Sequence, residues 1–301
     1  MKKDLLTLKD ITLEDLNRIF ALARDLKKNR RNTDYRPLAG KSIGMIFAKS
    51  STRTRVSFEV GIYELGGNAL YLDQSKMQVG RGETVPDTAN VLSRYLDGIV
   101  IRTFSHGDVE ELARVATIPV VNALTDDFHP CQVLADLMTV QEYSGRIEGI
   151  KMVFAGDGSS NVCNSLMLAA GLTGLKLVVA SPEAYRPRAD LMNGNVSWEP
   201  DIMKAAEDAD YLYTDVFVSM GFEDESRERM LVLKPYEITK KVMGSAKPDA
   251  KFLHCLPAHR GEEVAADVMD SPASIVFDEA ENRLHIHKAV LGLLFEDNCR
   301  R

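Results

Sequence analysis

The sequence predicts an α/β protein of two doubly wound parallel-sheet domains joined by bridging helices, with the active site in the cleft between them. Three observations point there. Short apolar runs alternate with helical patterns along all 301 residues, as parallel strands covered by helices on both faces require. The chain is too long for one ordinary small domain and suits two of about 150 residues. Polar clusters recur directly after the strand candidates, where open α/β sheets collect ligands.

Taken in order, Leu13–Lys28 reads as an amphipathic helix and Ile43–Phe47 as a buried strand. Ser51 and Thr52 then supply N-cap chemistry to an amphipathic segment closed by Gly66-Gly67. Ala69–Leu72, Gly98–Arg102 and Pro119–Ala123 continue the strands, with helical patterns at Thr88–Leu96 and Val109–Val115 between them. Four strand candidates precede the helical pattern Gln132–Tyr143 and five follow it, so that helix is the natural bridge. The later strands are Met152–Ala155, Lys176–Ala180, Tyr211–Phe217, Phe252–Leu256 and Ser274–Phe277, with helices at Asn164–Leu172 and Asp201–Glu207. The expected domains are 1–130 and 131–282. A last amphipathic pattern, Arg283–Phe295, belongs to a helix over 283–297 that is expected to pack back on the first domain.

A net charge of −7 and a pI near 5.5 argue against nucleic acid or an anionic membrane as partner. Any anion site must then be local, built from a few placed arginines and helix ends. No apolar run reaches the roughly 18 residues a bilayer span needs. Met1-Lys2-Lys3-Asp4 is followed by no apolar segment of the signal-peptide kind. Cys131, Cys163, Cys255 and Cys299 form no C-x-x-C pair, so reduced thiols in the cytoplasm are expected, with no disulfide and no structural zinc.

The segment Ser50–Glu59 carries the sharpest chemistry. Arg53 and Arg55 occupy a first helical turn where a structural helix prefers acids. Hydroxyls, guanidiniums and unpaired backbone N–H groups in one turn suit a multiply charged oxyanion, most simply phosphate. Arg102-Thr103 follow the third strand. His129-Pro130-Cys131-Gln132 follows the fourth, behind the acidic pair Asp126-Asp127; a histidine there can donate to a carbonyl oxygen while Gln132 reads an amide. Gly156-Asp157-Gly158-Ser159-Ser160-Asn161 imitates a dinucleotide turn but lacks its third glycine, and the acid about 20 residues on is Glu183. A turn presenting polar side chains to a ligand is the better reading. Asp215-Val216-Phe217-Val218-Ser219-Met220-Gly221 places a carboxylate and a hydroxyl four residues apart, suited to an ammonium group. His254-Cys255-Leu256-Pro257 has metal-ligand residue types, but strand alternation is expected to send His254 and Cys255 to opposite faces, leaving no metal site.

Together these motifs resemble the aspartate/ornithine carbamoyltransferase family over essentially the whole chain. Ser51-Thr52-Arg53-Thr54-Arg55 is similar to its carbamoyl-phosphate loop and His129-Pro130-Cys131-Gln132 to its second signature. The Asp215–Gly221 and His254–Pro257 segments resemble the ornithine branch, except that Phe217 stands where the family usually has Trp. The resemblance implies transfer of the carbamoyl group of carbamoyl phosphate to the δ-amine of L-ornithine, giving citrulline and phosphate in arginine biosynthesis. The alternatives are another acceptor (putrescine, aspartate or an acylated ornithine) or a non-catalytic carbamoyl-phosphate-binding homologue. It implies carbamoyl-phosphate binding by Ser51, Thr52, Arg53, Thr54, Gln78, Arg102, His129, Gln132, Cys255, Leu256 and Arg283, and ornithine binding by Asn161, Asp215, Ser219 and Met220. Arg53, His129 and Cys255 are the implied catalytic residues. It further implies a homotrimer or a multiple of trimers, with Gln78 reaching a neighbouring subunit's site, and no metal or organic cofactor.

Overall fold

The computed structural model describes residues 1–30, 32, 34–77, 82–218 and 226–299. It divides into two compact units, Met1–Ala135 with Glu281–Arg301, and Asp136–Ala280. Among the described residues the strands form two wholly parallel sheets, of four and five strands.

In the first unit, β1 (Ser42–Phe47), β2 (Asn68–Asp73), β3 (Gly98–Arg102) and β4 (Val120–Leu124) lie in the order β2-β1-β3-β4. Every residue of β3 and β4 is buried, which is why these strands are near-continuous apolar runs rather than alternating ones. The helix α1 (Leu13–Lys28) opens with a Thr12/Asp15 capping box. Its neighbour in sequence, α2 (Thr52–Glu64), starts four residues beyond the last residue of β1, at Ser51 as N-cap. The helices α3 (Val85–Tyr95) and α4 (His106–Val115) set Ala89, Val109, Leu112 and Ala113 against Ile46, Ile99 and Ile101. Burying each large aliphatic side chain in such a layer contributes about 1.5–3 kcal/mol. Gly44 makes that layer possible: a Cβ there would lie 2.5 Å from Leu96 Cδ1. The opposite face of β3 meets the final helix, for a Cβ at Gly98 would stand 3.0 Å from Phe295.

The second unit holds β5 (Lys151–Ala155), β6 (Lys176–Ala180), β7 (Val196–Trp198), β8 (Tyr211–Thr214) and β9 (Lys251–His254), ordered β7-β6-β5-β8-β9. After β5 comes α6 (Asn161–Thr173), capped by Ser160 and ended by Gly174 in the left-handed region at φ 77°. Phe217 is fully buried in this unit's core with Val153, Leu212 and Phe252. The shorter helices α7 (Ile202–Ala206), α8 (Ser226–Leu233), α9 (Lys240–Met243) and α10 (Ala266–Met269) follow in this unit, and two helices, α5 (Pro130–Ser144) and α11 (Val276–Cys299), include residues of both units.

Three expectations are corrected. Val196–Trp198 is a strand the sequence reading passed over, because three residues after Asn193-Gly194-Asn195 carry no usable periodicity. Ser274–Phe277 is not a strand. Its start makes two strand-like bonds with Phe252, from Phe252 N to Ala273 O and from Ile275 N to Phe252 O, and α11 begins at Val276. The run Tyr211–Phe217 stops pairing at Thr214.

The strand order fixes where ligands belong. The chain leaves β1 toward β2 and returns on the other side at β3; it leaves β5 toward β6 and returns at β8. Each sheet therefore has a switch point, between β1 and β3 and between β5 and β8, whose carboxyl ends open a crevice.

Candidate active site

At the first switch point the loop after β1 becomes the capped start of α2. Ser51 Oγ accepts from the Thr54 amide at 3.3 Å, and the first turn holds no acid. Arg53 is half-buried there, while Thr54 is buried. The buried Arg283 guanidinium of α11 donates to Thr54 Oγ1. Arg102 is the last residue of β3 and is also buried.

The loop after β4 is built around Thr125. Its amide donates to Phe128 O at 2.9 Å, its hydroxyl accepts from the Phe128 amide at 3.1 Å, and it meets His106 Nδ1 at 3.1 Å. That bracing delivers His129 to the start of α5, where its carbonyl accepts from Val133 N at 3.3 Å. Gln132, three residues on, is 1% exposed. Burial first, then the positive charges of Arg283 and Arg102, hold the His129 imidazole well below its usual range. His129 is therefore neutral, with one ring N–H to donate. Cys131 is a buried thiol raised to about 12 by burial, bonded at 3.7 Å to Asn122 O; it is a packing residue. The structure thus brings Thr54, Arg102, His129 and Arg283 together around one helix start.

The second switch point gathers the other set. Asn161 begins α6 after β5, and Asp215 follows β8, the strand paired with β5. Asp215 Oδ1 accepts from the Val216 amide at 2.7 Å and from Cys255 Sγ at 2.9 Å. Burial and the negative charge of Asp215 push the Cys255 thiol well up, so Cys255 acts as an S–H donor. Leu256 sits at φ 57°, its amide donating to His254 Nδ1 at 2.8 Å. Gln78, Ser219 and Met220 lie outside the described residues.

The strand-alternation argument about His254 and Cys255 is corrected. β9 ends at His254, Cys255 lies beyond the pleat, and both place ligand atoms within 4.8 Å of one another and of Asp215. Both His254 nitrogens are nevertheless engaged, Nδ1 by Leu256 and Nε2 by Glu263 at 3.1 Å, which takes the ring out of a metal's reach. The dinucleotide reading of residues 156–161 also meets an obstacle. A Cβ at Gly158 would lie 2.7 Å from Tyr185 O and 3.0 Å from Pro187 N, so this glycine accommodates its own chain, and Asp157 is paired with Arg229.

Several buried charged groups escaped the sequence reading. Lys49 is paired with Asp126 and lies 4.4 Å over the Phe104 ring, linking the loops that follow β1, β3 and β4. His287, stacked on Phe58 with centroids 3.7 Å apart, lies close enough to His129 to affect its charge. Its spacing of four from Arg283 on one helix was the signal available in sequence. Asp136 and Glu279 are both fully buried.

Residues 3–142 match the sequence model for the aspartate/ornithine carbamoyltransferase carbamoyl-P binding domain, and residues 148–294 that for the Asp/Orn binding domain. The chain is 52% identical over 298 residues to an ornithine carbamoyltransferase of Methanoculleus marisnigri, covering 97% of this chain and 96% of the relative. The solved ornithine carbamoyltransferase of Pyrococcus furiosus matches with a TM-score of 0.92 and 50% identity over 96% of each chain. The anabolic ornithine carbamoyltransferase of Campylobacter jejuni matches with a TM-score of 0.90 and 36% identity over 99% of each.

Proposed function

The chain belongs to the aspartate/ornithine carbamoyltransferase family, and from that premise we propose that it carbamoylates the δ-amine of L-ornithine, releasing citrulline and phosphate. The observation that carries this reading is the fully enclosed His129, whose imidazole is held well below its usual range by burial and the charges of Arg283 and Arg102, together with a helix start rich in hydroxyls and free of acids. Cations and helix N–H groups suit the phosphate. A neutral imidazole suits the carbonyl oxygen, to which it donates without adding a proton.

In this mechanism Ser51, Thr52, Arg53, Thr54 and Arg102 receive the phosphate of carbamoyl phosphate. Arg53, Thr54 and His129 donate to the carbonyl oxygen, and Gln132 with the Leu256 carbonyl holds the carbamoyl NH2. Asn161, Asp215, Ser219 and Met220 hold ornithine. The uncharged δ-amine attacks the carbonyl carbon, a tetrahedral oxyanion forms, the C–O bond to phosphate breaks, and the proton lost by the attacking nitrogen leaves with the phosphate. Oxyanion donors aimed at charge that develops only in the transition state lower the barrier most, and ordering two small reactants removes up to about 7–11 kcal/mol more. Asp215, bonded to the Cys255 thiol, is the group that receives the amine. In this reading most of the carbamoyl-phosphate residues lie in 1–130, joined by Gln132, Cys255, Leu256 and Arg283, and the ornithine residues lie in 131–282. We place the protein in the cytoplasm, in arginine biosynthesis, as a homotrimer or multiple of trimers in which Gln78 serves a neighbouring subunit. Incubation with carbamoyl phosphate and ornithine tests the reading. Ornithine-dependent citrulline and phosphate are expected in equal amounts, and their absence overturns it.

A further inference from the structure

Arg229 of α8 is 5% exposed, and its guanidinium reaches the loops that follow both β5 and β8. Nε donates to the Phe217 carbonyl at 2.8 Å, and Nη2 donates to Asp157 Oδ2. The same group lies 4.8 Å over the Tyr185 ring. Phe217 stands two residues after Asp215 in the loop that follows β8, and a Cβ on Gly156 would come within 3.2 Å of its ring. Asp157 belongs to the loop that follows β5. Its other oxygen, Oδ1, accepts from the Ser159 amide at 2.9 Å and the Ser159 hydroxyl at 2.6 Å, and its carbonyl accepts from the Ser160 amide at 3.1 Å. Ser160 caps α6 directly ahead of Asn161. One buried side chain thus joins the backbone beside Asp215 to the turn that delivers Asn161.

Stability alone does not call for charges here. A buried ion pair often adds nothing over well-packed apolar groups of similar volume, although removing one partner alone is costly. What this pair adds is direction, because a planar guanidinium fixes two acceptors at set angles, as neither an apolar side chain nor an ammonium does. Thr214 Oγ1 donates to Ala155 O at 2.7 Å and so joins the same two strands where their ladder ends. Arg229 continues that connection into the loops. We propose that Arg229 is a positioning residue for the amine acceptor: it fixes the separation of Asp215 from Asn161, and with it the length of amino-acid side chain that the site accepts. It acts through the Phe217 carbonyl and Asp157. The inference rests on the reading of Asn161 and Asp215 as ornithine-binding residues.

The test uses the full chain and three variants: Arg229→Met, Arg229→Lys, and Arg229→Met combined with Asp157→Asn. Each is measured for its thermal midpoint, its carbamoyl-phosphate affinity by calorimetry, and its kinetics with ornithine and with lysine, which is one methylene longer. Arg229→Met takes the ion-pair partner from Asp157, so stability and ornithine binding should both suffer. The double variant leaves no unpaired charge and keeps an acceptor for Ser159, so its midpoint should return toward the parent's. Its KM for ornithine should nevertheless stay raised about tenfold, with carbamoyl-phosphate affinity unchanged. Its preference for ornithine over lysine in kcat/KM should fall about tenfold. Arg229→Lys keeps the charge without the fork and should raise KM about threefold; it carries the test should the methionine variants fail to fold. A KM that recovers together with stability marks a purely structural pair and overturns the proposal, as does an unchanged preference between the two amino acids. Ornithine titrated calorimetrically into the protein holding inorganic phosphate reads the same loss of affinity without turnover. A parent that makes no citrulline overturns the proposed function, and this inference with it. An active parent whose variants bind ornithine as tightly overturns this inference alone.

Discussion

Arg283 Nη2 donates a hydrogen bond to Thr54 Oγ1, tying α11 to the first turn of α2 across 229 residues of sequence. The bond takes a lone pair of the Thr54 oxygen and leaves the hydroxyl's own hydrogen to be donated elsewhere. Arg283 thus orients Thr54 as a donor, and Thr54 gives one N–H of a buried guanidinium an acceptor.

Thr54→Val should consequently fail twice. Leaving a buried Arg283 donor without its acceptor should cost about 1–3 kcal/mol of stability. Losing an oxyanion donor should lower turnover about a hundredfold. Thr54→Ser should recover both. Denaturant unfolding and steady-state kinetics of the pair check this, and a Thr54→Val protein as stable and active as its parent would contradict it.

Arg53 is half-buried on the same turn, so Arg53→Ala should behave differently. Stability should change little, while the barrier rises by about 2.7–4 kcal/mol, the usual cost of one oxyanion donor. Turnover within tenfold of the parent would show that Arg53 is a surface residue.

Stability should fall as the solution is acidified through the range of an ordinary histidine. His129 and His287 are both held well below it, His129 by burial with Arg283 and Arg102, His287 by burial with Arg283. The unfolded chain binds these protons below pH ~6.5 and the folded chain does not, so unfolding gains about 1.4 kcal/mol per pH unit for each histidine. The contribution is fully present above that pH and is lost progressively below it. His287→Gln should flatten the acid side of the stability curve by one such slope. Parallel curves for the two proteins would mean that His287 is charged in the fold.

The Cys255–Asp215 bond predicts a graded series. Cys255→Ser keeps a donor and should retain most turnover, whereas Cys255→Ala should lose about a hundredfold. Asp215→Asn should weaken ornithine affinity while leaving carbamoyl-phosphate affinity intact. Equal effects of Ser and Ala at position 255 would show that donation is not what the thiol supplies.

Much of this was legible in the sequence, for identifiable reasons. Ile43–Phe47 is an uninterrupted apolar run because β1 pairs on both edges and is buried on both faces, and Ser51 announced the helix start through its own hydroxyl. Phe217, which stands where the family usually has Trp, is fully buried. What failed was local pattern where few residues decide. The apolar run at 274–277 spends two bonds beside Phe252 before turning into α11, and period alone cannot apportion so short a stretch. Cys255 escaped the strand alternation because β9 ends at His254, two residues before the expected end at Leu256. The meeting of Lys49 with Asp126 could not be read at all. Such acids and bases look like solvated surface residues until the fold supplies partners from distant segments.

The most direct test of the account is a comparison of kcat/KM for ornithine, putrescine, aspartate and N-acetylornithine at saturating carbamoyl phosphate. A site that pairs polar groups with the amino-acid end of ornithine should reject putrescine, which lacks that end, by about a thousandfold or more. Ornithine should lead every other acceptor. A different acceptor outrunning ornithine, or phosphate release that does not depend on ornithine, would contradict the assignment.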